Sequence, residues 1–307
     1  MSSILTNSAA QSALQTLRNI NANLETTQNR VASGLKVATA SDNAAYWSIS
    51  STMKSDNGAH SAVKDALGLG AGKVDTAYTA ITEIKSAVEE IKSRLVTAQG
   101  ASADDQLKLK EEITSYQKHI TAVAEAASYA GTNLLANVTF VAAPGPNTYA
   151  AVDDLGVVAS FNRTGQSVAI GTIDITGADT QVLGTAGILG SAADAGTVLN
   201  GDLFTPAAGT AVDPANIKTA LDKVEAALEK LATAASTLGA AKTRIDLQTE
   251  FVSNLSDAID RGVGKLVDAD MEAESSRLAA LQTQQQLGVQ ALSIANSTSQ
   301  SILNLFR

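Results

Sequence analysis

The residues able to do chemistry are few in this 307-residue chain, and their spacing argues against a catalytic centre. The run LGLGAGKVD at 67–75 has the glycines and the lysine of a phosphate loop. Such a loop separates its first glycine from Gly-Lys by four residues and follows the lysine with Ser or Thr. Here Leu67 and Val74 stand at those two places, and Lys73 replaces the third glycine of a dinucleotide loop. The run reads instead as a joint or a close helix contact. Two histidines, His60 and His119, lie in polar helical contexts and read as surface residues; without cysteine they do not make the three or four ligands of a zinc site. The acidic pairs Glu89-Glu90, Asp104-Asp105 and Glu111-Glu112 are adjacent in helical patterns. Neighbours on a helix point about 100° apart, so they do not face one substrate. Asp268, Asp270, Glu272 and Glu274 lack the glycine and terminal glutamate of a calcium loop, and suit the positive end of a helix. No Gly-x-Ser-x-Gly elbow supports a hydrolase triad. The expectation is no enzyme, no cofactor and no metal.

Composition points toward assembly. Hydrophobic residues make up 45% but aromatics only 4%, so Ala, Leu, Ile and Val must fill the core, which suits closely packed helices. A net charge of −9 argues against a nucleic-acid partner. No run of 18 apolar residues predicts a membrane span, and the N-terminus lacks the basic and apolar regions of a Sec signal. The absence of cysteine excludes disulfides. Residues 1–17 and 278–306 contain no Asp, Glu, Lys or Arg, yet both carry apolar residues at helical spacing. A helix with an apolar seam and no surface charge makes sense where neighbouring copies cover it.

The elements follow from periodicity. Residues 1–136 and 215–307 are helical in pattern, whereas 137–214 holds all four prolines, half of the 22 glycines and no lysine. Within it, VVASFNRTGQSVAIGTIDIT (157–176) alternates and is β-branched, with a hairpin turn predicted at Asn162-Arg163-Thr164-Gly165. At alternating steps of three and four, Val74, Ala77, Ile81, Ile84, Val88, Ile91 and Leu95 form an unbroken seam. So do Leu109, Ile113, Tyr116, Ile120, Val123, Ala127 and Ala130, and Ile217, Leu221, Val224, Leu228, Leu231, Ala235 and Leu238. Their outer faces are charged, and Ser102 with Asp105 reads as an N-cap and capping box after Gly100. The terminal seams are interrupted. From Ser3 to Leu35 the core-type positions include Asn7, Asn21 and Gln28, and in the last helix Gln285, Gly288 and Ser299. Polar seam residues lower stability but fix register. The fold class expected is mainly α: long antiparallel helical arms, a coiled-coil terminal domain plus a helical-bundle domain, with a small β-rich central insert at the far tip. The expected boundaries are 1–45 with 268–307, 46–136 with 215–267, and 137–214.

The chain resembles bacterial flagellin along both arms. The carrying run NRVASGLKVATASDNAAYWSI (29–49) supplies Arg30, Ser33, Gly34, Leu35, Asp42, Ala44 and Ala45, with Thr6-Asn7 before it. VDADMEAE (267–274) supplies Asp268 and Asp270, and ALSIANSTSQSILNLFR (291–307) supplies Asn296 and the final Arg307. AYW at 45–47 and QTQQQLGVQA at 282–291 look like flagellins of alphaproteobacteria such as rhizobial relatives. The resemblance implies a filament subunit that packs on copies of itself, outside the cell. Its packing residues would be Leu14, Leu17, Leu24, Val31 and Leu35, with Leu278, Leu281, Leu292, Ala295, Ile302, Leu303 and Phe306. It also implies an export chaperone, a type III flagellar export apparatus, a filament cap and hook–filament junction proteins as partners. The junction protein itself and a secreted coiled-coil adhesin are the rival readings. Flagellins seen by the vertebrate flagellin receptor carry an Arg followed four residues later by Leu; aligned on VEEIKSRLV (88–96), those places hold Glu90 and Arg94. Weak receptor activation is the expectation.

Overall fold

The computed structural model describes residues 7–139, 148–164, 167–183, 187–190, 198–199, 203–205 and 212–305; the side chains of 138–139, 148–149 and 298–305 lie outside that description. Among the described residues six helices and six strands occur in the order α1 (Ser8–Ser33), α2 (Ala44–Ala98), α3 (Ala103–Ala126), β1 (Ser128–Tyr129), β2 (Thr132–Asn133), β3 (Asn137–Thr139), β4 (Thr148–Ala150), β5 (Leu155–Thr164), β6 (Ser167–Ile175), α4 (Gly177–Thr180), α5 (Pro214–Val267) and α6 (Met271–Leu305). The protein is mainly α, with three two-stranded antiparallel sheets among the described residues. The chain divides into two compact units, 1–58 with 256–307 and 59–255.

In the 59–255 unit the helices follow the apolar seams. All seven α2 seam residues from Val74 to Leu95 are buried, in one core with Ile217, Val224, Leu231 and Leu238 of α5 and Ile113 and Ile120 of α3. Polar pairs on the flanks set the antiparallel α2–α5 register: Lys64 Nζ donates to Ser253 Oγ at 3.4 Å, Lys242 pairs with Asp75, and Lys92 with Glu225 at 2.6 Å. Helix ends are chemical. Ser102 Oγ accepts from the Asp105 N–H at 3.3 Å, the N-cap that the spacing predicts, and donates to the Asp105 carboxylate at 2.8 Å, so the acid holds the cap hydroxyl in place of the Ser102 backbone N–H of a capping box. Pro214 opens α5, where its missing N–H costs nothing. The third seam overruns its helix. α3 stops at Ala126 because Asn133 Nδ2 takes the carbonyls of Ala124 (2.7 Å) and Glu125 (3.3 Å). Ala130 (φ 50°) and Gly131 (φ 79°) then make the β1–β2 turn instead of continuing the helix.

The predicted hairpin exists as β5 and β6, but Asn162 and Arg163 lie within β5, paired with Ala169 and Val168. Pairing continues to Thr164↔Ser167, so the reversal falls outside the described residues. Residues of the 137–214 stretch, expected at the surface, also enter the core: Ile173, Ile175, Leu183 and Leu189 are buried. Buried amides make this possible by satisfying irregular backbone. Gln106 donates to Ala98 O at 2.9 Å and accepts from Val212 N–H at 2.8 Å; Gln117 donates to Val198 O at 2.7 Å; Gln181 donates to Ala150 O and Leu183 O.

The glycine run at 67–75 is uninterrupted α2, and two of its glycines are close contacts. A Cβ on Gly70 would lie 2.4 Å from Val157 Cγ1, and one on Gly72 would lie 2.8 Å from the Tyr129 ring; Gly68 has nothing within 4 Å. Replacing a helical glycine with alanine ordinarily gains about 0.8–1 kcal/mol, while overpacking costs about 1–3 kcal/mol. Gly68→Ala therefore raises the unfolding midpoint and Gly70→Ala lowers it, measured by chemical denaturation. Equal midpoints for the two variants would contradict this packing.

Candidate functional site

The terminal pair, α1 against α6, is the place where polar and apolar side chains are combined for assembly. Asn7 caps α1, its side chain accepting from Ala10 N–H at 3.0 Å, and its Nδ2 donates to Ala295 O on α6 at 3.0 Å. Gln285 Nε2 donates to Asn21 Oδ1 at 2.9 Å. Arg30 pairs with Glu274 at 3.2 Å. These contacts place the two helices antiparallel in one register, and two of them join polar residues that interrupt the predicted seams. Gly288, another interruption, admits Leu17 and Ile20: a Cβ there would lie 3.1 Å from Leu17 Cδ1.

The apolar seam residues are unevenly covered. Leu281 is buried, and Leu17, Leu24, Val31, Leu35, Leu278, Leu292 and Ala295 are half-buried. Leu14 faces outward at 36% exposure, while Ala13 and Ile20 are half-buried and Thr27 is buried. The inward stripe thus keeps the 3–4 alternation but in another phase, with Ala13, Ile20 and Thr27 taking the places expected of Leu14, Asn21 and Gln28. On α6, Leu287 (59%), Val289 (54%) and Ile294 (66%) stand in the charge-free stretch with their surfaces uncovered. The α1 span runs from Ser8 rather than Ser3; residues 1–6, Phe306 and Arg307 lie outside the described residues, as do the side chains of Ile302 and Leu303. Asn296 is exposed on α6.

The N-terminal signature residues form the joint that ends α1 and begins α2. Gly34 adopts φ 72°, and its N–H donates to Arg30 O at 2.9 Å. Ser33 Oγ accepts from Leu35 N–H at 3.2 Å. Leu35 bridges to Asp268, and the Lys36 and Val37 N–H groups donate to Val267 O. Val37, Val263 and Val267 form a small core beneath this crossing, with Met53 and Ile259 against it. Asn43 caps α2 by accepting from Ala45 and Tyr46 N–H at 3.1 Å, with Ala44 the first helical residue. Asp270 caps α6 through the N–H groups of Glu272 and Ala273, so the acidic run does begin a helix. What the sequence did not disclose is Glu274: it is 9% exposed and partnered by an arginine 244 residues away.

Other candidate residues lie elsewhere. Arg94 pairs with Glu112 at 2.7 Å and Glu90 at 3.7 Å, and the Tyr116 hydroxyl beside it pushes its pKa further up. His119 approaches Glu83 at 3.5 Å. His60 is not a surface residue: it is 7% exposed, packed edge-on against the Phe161 ring at 5.9 Å. The apolar partner comes from distant β5, which is why a polar local context misled. Among the described residues no group of three or more His, Asp and Glu could hold a metal.

A helix pair that is charge-free over residues 8–17 and 278–305 and incompletely covered, joined to a bundle with a closed core, fits the class of proteins that polymerise with copies of themselves. Similarity to known proteins defines that class. Residues 4–139 match the bacterial flagellin N-terminal helical region, and residues 221–306 the C-terminal helical region. The chain is 54% identical to a flagellin of Brucella melitensis and 45% identical to flagellin C of Rhizobium meliloti, in each case over the whole of both proteins. It is 40% identical to flagellin A of Rhizobium meliloti, again at full coverage. The chain belongs to the bacterial flagellin family. It is a structural subunit that polymerises with copies of itself into the extracellular flagellar filament, and is not an enzyme. The junction-protein and adhesin readings are not favoured.

Two outcomes follow from the joint and the pair. Arg30→Gln leaves the buried Glu274 carboxylate with only the more distant Arg277, at 4.0 Å. That weakens the α1–α6 pairing by about 1–3 kcal/mol, read as faster hydrogen exchange of α1 amides in the filament; unchanged exchange contradicts the pairing. Asp42 accepts from Thr39 N–H (2.9 Å), Thr39 Oγ1 (3.0 Å) and Ala38 N–H (3.1 Å), and these bonds, the Thr39 N–H foremost, hold its carboxyl below the usual range. A depressed folded pKa stabilises the turn above the unfolded value of about 3.9, and that stability is lost as pH falls through the folded value. The Ala38 and Thr39 amide resonances should therefore shift together on acidification below pH ~4 and not in Asp42→Asn. Identical titrations in both proteins would refute this role for Asp42.

Proposed function

We propose that this subunit leaves the cell unfolded through the flagellar channel by the type III export apparatus, with an export chaperone. In this reading it adds at the distal tip under a filament cap, in a filament joined to the hook by junction proteins. The filament is a homopolymer or is shared with other flagellins. Residues 1–45 with 268–307 form its inner coiled coil, 46–136 with 215–267 the next layer, and 137–214 the variable outer surface. The observation that carries this is the terminal pair: its polar contacts favour one register, while Leu14, Leu287, Val289 and Ile294 stay uncovered until other copies arrive. The remaining packing residues are Leu17, Leu24, Val31, Leu35, Leu278, Leu281, Leu292, Ala295, Ile302, Leu303 and Phe306. A heterologous contact that does not close generates an open helical filament.

The absence of charge in 278–306 has a second use in this account. A channel wall without fixed charges lets an unfolded chain pass without electrostatic trapping. Lysines at Ser297 and Gln300 should shorten filaments, measured by electron microscopy of sheared cells, and unchanged length counts against the idea. At the receptor segment, Glu90 reverses the charge of the recognised pattern, and Arg94 is occupied by Glu90 and Glu112. Nanomolar monomer should give little signal in receptor reporter cells; a strong response sinks that reading.

A further inference from the structure

Unit 59–255 carries two uncovered large apolar side chains on one stripe of α5, Leu247 at 62% and Phe251 at 58% exposure. They are four residues apart, so they stand together as one knob. The same unit has an open groove of about 450 Å³ between α2 and the end of α3, lined by Asp75, Thr79, Ala80, Val123 and Ala126 among others. It is shallow, widely open to solvent and lined mainly by small side chains.

The knob cannot enter the groove of its own chain. Lys242 points from α5 to Asp75, a residue of the groove's rim. Leu247 and Phe251 lie five and nine residues further along α5, about 140° and 180° around the helix from Lys242. They therefore point away from the side that faces the groove. Charge agrees with a pairing between copies. Arg244, on the stripe of Leu247 and Phe251, has no ion-pair partner among the described residues, and Asp75 on the groove's rim, paired through Oδ1 with Lys242, is half exposed and can take a second cation.

We propose that the Leu247–Phe251 knob of one copy seats in the α2–α3 groove of a second copy, with Arg244 beside Asp75. The contact is heterologous, because knob and groove are different surfaces of the same chain, and it repeats without closing on itself. It rests on the filament assembly assigned above and adds to it a specific contact outside the terminal helices.

The absence of cysteine makes the test clean. Phe251→Cys and Ala126→Cys are made in separate chains; both sites are exposed, so the fold is kept, as circular dichroism checks. The two variants are copolymerised on filament seeds and mildly oxidised. A disulfide-linked dimer is expected from the mixed filaments, and none from either variant alone or from unpolymerised mixtures. Mixed filaments without the dimer overturn the knob and groove, and so does a dimer from Phe251→Cys alone, which would mean an isologous contact. In parallel, Leu247→Ser with Phe251→Ser should raise the critical concentration for polymerisation roughly tenfold or more while leaving the monomer folded; an unchanged critical concentration overturns the inference. Failure of the unmodified chain to pellet would instead overturn the filament assembly on which the inference rests.

Discussion

A polar side chain along a two-helix pair favours the one register in which it meets a partner on the other helix. In this protein that constraint fixes how the two ends of the chain meet. Asn7 with the Ala295 carbonyl, Asn21 with Gln285, and Arg30 with Glu274 all fall into line in one antiparallel register. A slip by one helical turn would break all three. The crossing after Gly34 depends on that register, since Leu35 meets Asp268 only when the helices are aligned. Yet these polar contacts hold the pair in place without covering it, and several large apolar side chains on α6 remain open to a neighbour.

The 59–255 unit follows the opposite rule. Its seams are continuous, its core is closed by α3 and by strands of the central stretch, and its buried glutamines are satisfied by backbone. It has what a stable domain needs without help from other copies. The contrast divides the work: the 59–255 unit closes its own core, whereas the terminal pair leaves large apolar side chains for other copies to cover.

Much of this was legible in the sequence because it depends on local repetition. The α2 seam from Val74 to Leu95 is buried throughout, Ser102 caps α3 as its spacing requires, and Asn21 and Gln285 bond to each other across the pair. Ser33, Gly34, Asp42 and Asp270, four of the residues that carried the family resemblance, are turn and cap residues. Long-range features were not legible. Leu14 was placed on the seam by starting the 3–4 stepping in the wrong phase, whereas Ala13, Ile20 and Thr27 turn inward. The Ala130 step continued a helix that Asn133 ends from outside. His60 sits in a polar segment but is buried by Phe161, a residue about a hundred positions away. Glu274 gave no local sign of its arginine.

The central claim is that the charge-free ends drive assembly and are dispensable for folding of the body. Its most direct measurement uses a chain lacking residues 1–17 and 278–307, compared with the full chain by circular dichroism, chemical denaturation and sedimentation of seeded polymers. The account predicts a soluble, helical protein with the unfolding midpoint of the bundle preserved and no sedimenting filament. Filaments from the shortened chain, or a bundle that no longer folds, would contradict it.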